Sequence, residues 1–287
     1  MVNNLKLKQG GVIAAVLLLM VFLFTRDIKG LVKPTEENGK TAAMEQPSAA
    51  SPELKIENAS ALAKSEISAD MASQVNALEA AFQKAEGSEK VQSAAALAGK
   101  WDDLEKAAPS ALYLEFVAKA EPSLTNWNKS GNRFLKAYDL SQDSIMQPAL
   151  LQKANLSFKN ALAIDSTNLE AKMGMGITIV NGMGMPMQGI AMLLDVIKKD
   201  PSNIRANMNL GLFSLKSGQF EKAIPRFNKV IEQKASADAY FYLGTAYENL
   251  NRNKEAIEAY LQSKKIAGNP TLTQFLDKKV AELENKN

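Results

Sequence analysis

Two stretches of this chain repeat one another at a fixed distance. Leu210-Gly211 and Leu243-Gly244 stand 33 residues apart. Each glycine is followed 12 positions later by an alanine, Ala223 or Ala256, and four after that by an aromatic ring, Phe227 or Tyr260. A period in the thirties, with apolar residues every three or four positions, holds two helices and two turns. One such pair cannot bury its own apolar face, so copies must stack and share a continuous core. The small residues let two antiparallel helices approach closely, and the rings fill the gap to the next copy.

Working backward, the pattern recurs with departures. Met175-Gly176 opens a third copy, closed by Gly189, Leu193, Val196 and Asp200-Pro201; its turn, Asn181-Gly182-Met183-Gly184, carries one extra residue. Trp127-x2-Ser130-Gly131-x2-Phe134 opens another, continued by Ala154-x3-Phe158, Ala161 and Asp165-Ser166. Between its halves lie 11 extra residues around Asp143 to Gln147, and Pro148 suits the first turn of its second helix. Leu97-Ala98-x2-Trp101, with Ser110, Leu114, Val117 and Pro122, fits one more degenerate copy.

This pattern resembles the tetratricopeptide repeat (TPR): W-x2-L-G-x2-Y, then A-x3-F, then P, over about 34 residues. Tyr240 and Tyr247 take the aromatic places of the last copy, while Ser130 stands where the family has leucine. The resemblance covers residues 91 to about 268 in five copies, and Thr271 to Leu283 supplies a cap helix with Phe275, Leu276, Val280 and Leu283 on one face. It implies an all-α, right-handed superhelix of antiparallel helix hairpins over residues 91–287. The packing residues it implies are Trp127, Gly131, Ala154, Phe158, Gly176, Gly189, Gly211, Ala223, Phe227, Gly244, Ala256 and Tyr260.

The N-terminus reads differently. Gln9 to Thr25 carries no charge, and Val12 to Phe24 is unbroken apolar, with Lys6 and Lys8 before it and Arg26 after. As a helix these residues span about 26 Å, enough for the hydrocarbon core of a bilayer. A cleaved signal wants small residues before the cut, but the run exits into Phe24-Thr25-Arg26. A core helix would have a polar face. The reading is therefore an uncleaved transmembrane anchor through residues 9–25, within a segment 1–26. Basic residues nearly balance across it; a short basic tail resists translocation, which favours an extracytoplasmic body, periplasmic in a bacterium. Residues 27–59, rich in Pro, Ser and Ala, are expected to be a flexible, disordered linker. Residues 60–90 are expected to hold a leader helix, with Leu62, Ile67, Met71, Val75, Leu78 and Phe82 on one side and Gly87 at its end.

The chain has no histidine and no cysteine. This excludes imidazole general bases, Cys-His and Ser-His-Asp nucleophiles, disulfides, and zinc sites built on His or Cys. No Ser-x-x-Lys and no G-x-x-x-x-G-K-[ST] is present either, so the expectation is no enzyme and no cofactor. The net charge is +3 without a Lys/Arg-rich run, which argues against nucleic acid. Seven of the 12 methionines lie between Met173 and Met208. Thioethers can hold Cu(I), so a Met-rich extracytoplasmic copper protein is one alternative. The spacing of Met183, Met185 and Met187 in a Gly-Pro loop spreads the sulfurs, and no metal is expected.

The TPR resemblance implies a concave face, lined by the first helix of each pair, that takes an extended or helical peptide. By phase with the glycines the inward residues are Lys129, Asn132, Lys136, Met173, Ile177, Arg205, Met208, Asn209, Leu212, Lys216, Phe241, Tyr242, Thr245 and Glu248. Cationic and apolar side chains together suit a peptide with acidic and apolar ones. The subclass that clamps a C-terminal carboxylate does not fit, because the last copy offers Asp238 and Tyr242 in place of its Lys and Arg. In layout the chain is similar to anchored TPR proteins of bacterial inner membranes. That implies a scaffold or adaptor recruiting a protein partner in a cell-envelope or secretion-associated assembly. A cytosol-facing receptor anchored in an organelle membrane is the other arrangement.

Overall fold

The computed structural model describes residues 54–285. The apolar segment 9–25 and all but the end of the expected linker lie outside the described residues. Among the described residues no helix is long and apolar enough to cross a membrane. They form thirteen α-helices and no strand. Two helices lead, α1 (Ile56–Lys64) and α2 (Ala69–Lys84). Five hairpins follow: α3 (Gly87–Asp103) with α4 (Ala107–Ala120), α5 (Leu124–Leu140) with α6 (Met146–Ile164), α7 (Leu169–Gly182) with α8 (Pro186–Lys199), α9 (Ile204–Lys216) with α10 (Phe220–Gln233), and α11 (Ala237–Asn249) with α12 (Asn253–Ile266). The last helix, α13 (Pro270–Glu284), closes the stack. Each helix packs against its hairpin partner and against the next hairpin, in a superhelical arrangement.

The leader is two helices, not one. α1 begins at Ile56, inside the stretch expected to be linker, because Leu54, Ala59 and Ala63 bury a stripe of small apolar surface. The chain then breaks, and the Ser68 hydroxyl caps α2 by accepting the Met71 N–H at 3.3 Å. Gly87, at φ +53°, opens α3 rather than closing the helix before it.

Two kinds of turn alternate along the stack. The first helices of hairpins two to five, and α13, each start on a polar cap: Ser123, Asn168, Asn203, Ser236 and Asn269 accept backbone N–H groups that would otherwise lack a partner. The first-to-second turns instead pass through the left-handed region, at Glu105 (φ 57°), Gly184 (φ 70°), Gly218 (φ 71°) and Asn251 (φ 56°). The residue after three of these donates back across the helix end: Lys106 to the Trp101 carbonyl at 2.9 Å, Gln219 to Ser214 at 2.8 Å, and Arg252 to Tyr247 at 3.0 Å. The exception is the longer loop of the second hairpin, where Asp143 Oδ1 accepts the Ile145 N–H at 2.8 Å. Since the hairpins are antiparallel and stacked, the two kinds of turn occupy opposite edges.

The small-residue and ring pairs make the seams. A Cβ at Gly211 would lie 2.6 Å from the Phe227 ring, one at Gly244 2.6 Å from Tyr260, and one at Gly131 2.7 Å from Phe158. Gly176 faces the Gly189 carbonyl, 2.9 Å from where its Cβ would stand. Ala154, Ala223 and Ala256 are fully enclosed, and Trp127 is buried. Ser130, in the family's leucine place, is buried and shares a 3.1 Å hydrogen bond with the Ser157 hydroxyl, so the polar atom is satisfied.

Candidate functional site

Where first helices face the inside of the curve, α3, α5 and α9 surround a depression of about 700 Å³. α5 brings Lys129, Asn132, Arg133 and Lys136 to it, and α9 brings Arg205 from two hairpins further on. Arg133 is neutralised by Asp102 of α3 at 2.6 Å. Arg205 Nη1 donates to Asn132 Oδ1 at 3.0 Å, and Asn132 in turn donates to Glu170 Oε1 at 2.7 Å. This chain of contacts ties α9, α5 and α7 together across the concave side. Lys129 and Lys136 are exposed and make no ion pair among the described residues. Asp139, one turn on from Lys136, is open to solvent on one side. Desolvation by the surrounding helices still pushes its carboxyl above the usual range, and Arg205 and Lys216 pull it partway back. The depression therefore carries an excess of positive charge.

A second depression of about 740 Å³ lies between α11, α12 and α13. It is aromatic: Phe241 meets Phe275 edge-on with centroids 6.0 Å apart and lies 6.0 Å from Tyr260. Its two charges cancel, since Lys279 Nζ meets Glu248 at 2.8 Å, and the Tyr260 hydroxyl donates to the same carboxylate at 2.6 Å. Burial, with Glu248 beside it, pushes the Tyr260 phenol far above its ordinary pKa.

The expected groove residues do not all reach these two places. Lys129, Asn132, Lys136 and Arg205 line the first, Phe241 and Thr245 the second. Met173 and Ile177 are buried, at 4% and 6% exposure, and belong to the core rather than the groove. The cause is local: Gly174 and Gly176 let α7 sink until the Phe158 ring and Leu193 close on it, and α5 and α9 meet over the top. Met208 and Leu212 are half-buried against the Phe227 cluster, and Tyr242 stacks on the Phe227 ring at 5.7 Å. Asn209 spends its amide on the Arg205 carbonyl at 2.8 Å. Of the cap-helix residues expected on one face, Leu276 and Leu283 are buried while Phe275 is 43% exposed. Asp102, Arg133, Asp139 and Lys279 were not foreseen, because nothing in their local spacing marks them.

Residues 214–270 match the family model of the tetratricopeptide repeat. No curated protein sequence matches. A thermophilic TPR protein of Thermus thermophilus is similar in structure at a TM-score of 0.53 and 17% identity, over 67% of this chain and 99% of that one. MamA from residue 41 onward, of Desulfovibrio magneticus RS-1, aligns at 0.48 and 18% over 63% and 97%. YrrB, described as a TPR protein with an unusual peptide-binding site, aligns at 0.44 and 18% over 69% and 98%. Residues 214–270 thus carry the tetratricopeptide repeat, and the stack of helix hairpins shares its fold with a solved TPR protein.

Proposed function

We propose that this chain is a membrane-tethered, non-catalytic scaffold whose concave face docks a partner peptide carrying acidic and apolar side chains. The observation that carries the reading is the first depression. Lys129 and Lys136 stand there without ion pairs among the described residues, and Arg205 is satisfied only by a neutral amide and a more distant Asp139. A ligand carboxylate would make charge-assisted bonds stronger than the one Arg205 now donates to Asn132. Tethering rests on the charge-free run from Gln9 to Thr25. With the body extracytoplasmic, the setting is a cell-envelope or secretion-associated assembly.

Reversing two charges tests the docking. Lys129→Glu with Lys136→Glu removes no hydrogen bond or ion pair among the described residues, so helical circular dichroism should not change. Capture of the partner from detergent extract should fall sharply, and an unchanged set of captured proteins would refute docking at this face. Protease accessibility in spheroplasts tests the compartment, with digestion from outside expected and protection of the body refuting the extracytoplasmic placement.

A further inference from the structure

The most exposed large apolar side chains among the described residues gather in one region. Met187 (74%), Ile145 (65%), Leu140 (59%), Leu62 (58%) and Met185 (55%) head the order of exposure. Leu140 ends α5 and Ile145 precedes α6 at the first-to-second turn of the second hairpin, and Met185 precedes α8 with Met187 in its first turn at that of the third. Leu62 shares a depression with Leu140, Met146 and Lys106, the last from the same turn of the first hairpin. A Cβ at Gly182 would meet Leu151 at 2.7 Å, so the end of α7 lies against the early turns of α6 and the two loops are neighbours. All five side chains thus occupy one edge of the stack, at its N-terminal end. The same edge turns polar further along, at Ser217-Gly218-Gln219 and Asn251-Arg252, while the opposite edge carries the Ser and Asn helix caps and three less exposed apolar side chains, Ile164 (52%), Ile266 (44%) and Ile204 (37%).

We propose that this apolar edge rests on the lipid surface of the membrane, an inference that depends on the tethering read from residues 9–25. Three observations select lipid as the occupant. The side chains sit on loops and helix ends, flexible Met and Leu among them, and residues 183–188 carry no charge that could fix a protein partner's orientation. Asp143 is the sole charge in residues 141–146, and its carboxylate is turned back to the Ile145 N–H. The described chain begins at Leu54, one nine-residue helix from this edge, and residues 26–53 separate it from the run 9–25. A bilayer holding residues 9–25 is therefore always within reach, at high effective concentration, and a weak apolar contact suffices. Of the charges beside Leu62, Lys106 is paired with Glu66 at 2.6 Å and Glu105 is left over, so with the edge down the contact is mainly apolar and should respond little to salt.

The absence of cysteine makes every introduced thiol unique. The full chain is reconstituted in phosphatidylcholine vesicles as single-cysteine variants Ile145→Cys, Met187→Cys and Ser202→Cys, each carrying an environment-sensitive fluorophore. Ser202 lies on the opposite edge. The labels at 145 and 187 should shift to the blue and lose emission to spin-labelled lipid, to nearly the same extent in low and high salt, while the label at 202 does neither. Chain that floats with the vesicles but leaves 145 and 187 unquenched overturns this inference alone. Chain that does not float overturns the tethering and the edge contact with it. A blue shift that grows with protein density and ignores lipid quenchers assigns the edge to another protein, and also overturns the proposal.

Discussion

Phe158 shows how much of this fold is decided one side chain at a time. Its ring fills the space that Cβ atoms at Gly131 and Gly174 would need, so one residue of α6 seats two first helices. Phe227 does the same for Gly211. Gly211→Ala should therefore destabilise the protein by about 1–3 kcal/mol through overpacking, despite alanine's better helix propensity. Urea unfolding measures it, and adding Phe227→Leu should return part of the loss. The glycine and ring pairs were legible in the sequence because the requirement is chemical and local. Met173 was misplaced because its burial depends on how far α7 sinks, which two neighbouring hairpins decide. Asp139 carries a pH signature. Burial raises its folded pKa above the unfolded value, so ionisation costs native stability as pH rises through that range. Asp139→Asn should raise Tm slightly at neutral pH and leave it unchanged well below the ordinary carboxylate range, where both states are protonated.

At the scale of the helix, the two edges obey different rules. The Ser and Asn caps fix where first helices start. Asn203 does this twice over, since its side chain also donates to Asp200 at 3.0 Å and, with Ser202, lowers that carboxyl's pKa. Asn203→Ala should cost about 1 kcal/mol in thermal unfolding. Asp200's share of the loss should be seen only above the usual carboxylate pKa, and should vanish as pH falls through the depressed value. The opposite edge needs left-handed residues, and Glu105 is the one least suited to φ 57°. Glu105→Gly should raise Tm, with no change in helix content, by relieving about 1 kcal/mol of backbone strain. Helix number and order in the repeats could be read from periodicity and turn residues. The break at Ser65–Ser68 could not, since apolar spacing runs straight through it.

For the whole molecule, stability comes from neighbours, so the ends matter as much as the centre. α13 covers the Phe241 and Tyr260 rings, with Leu276 and Leu283 buried beneath it. Ending the chain at Gly268 should lower Tm and promote association through the exposed aromatic seam. That the chain is a stack of hairpins follows from its repeat alone. The cationic depression does not, because Arg205 reaches Asn132 across 73 residues, a consequence of curvature summed over hairpins. The docking claim is tested most directly by a photo-crosslinking residue at Lys136 on the concave face, against one at Lys159 on α6 outside the curve. Irradiated in native membranes, the Lys136 position should yield a partner adduct that Lys129→Glu abolishes, and Lys159 should yield none. Adducts of equal strength at both positions, or only at Lys159, would contradict docking on the concave face.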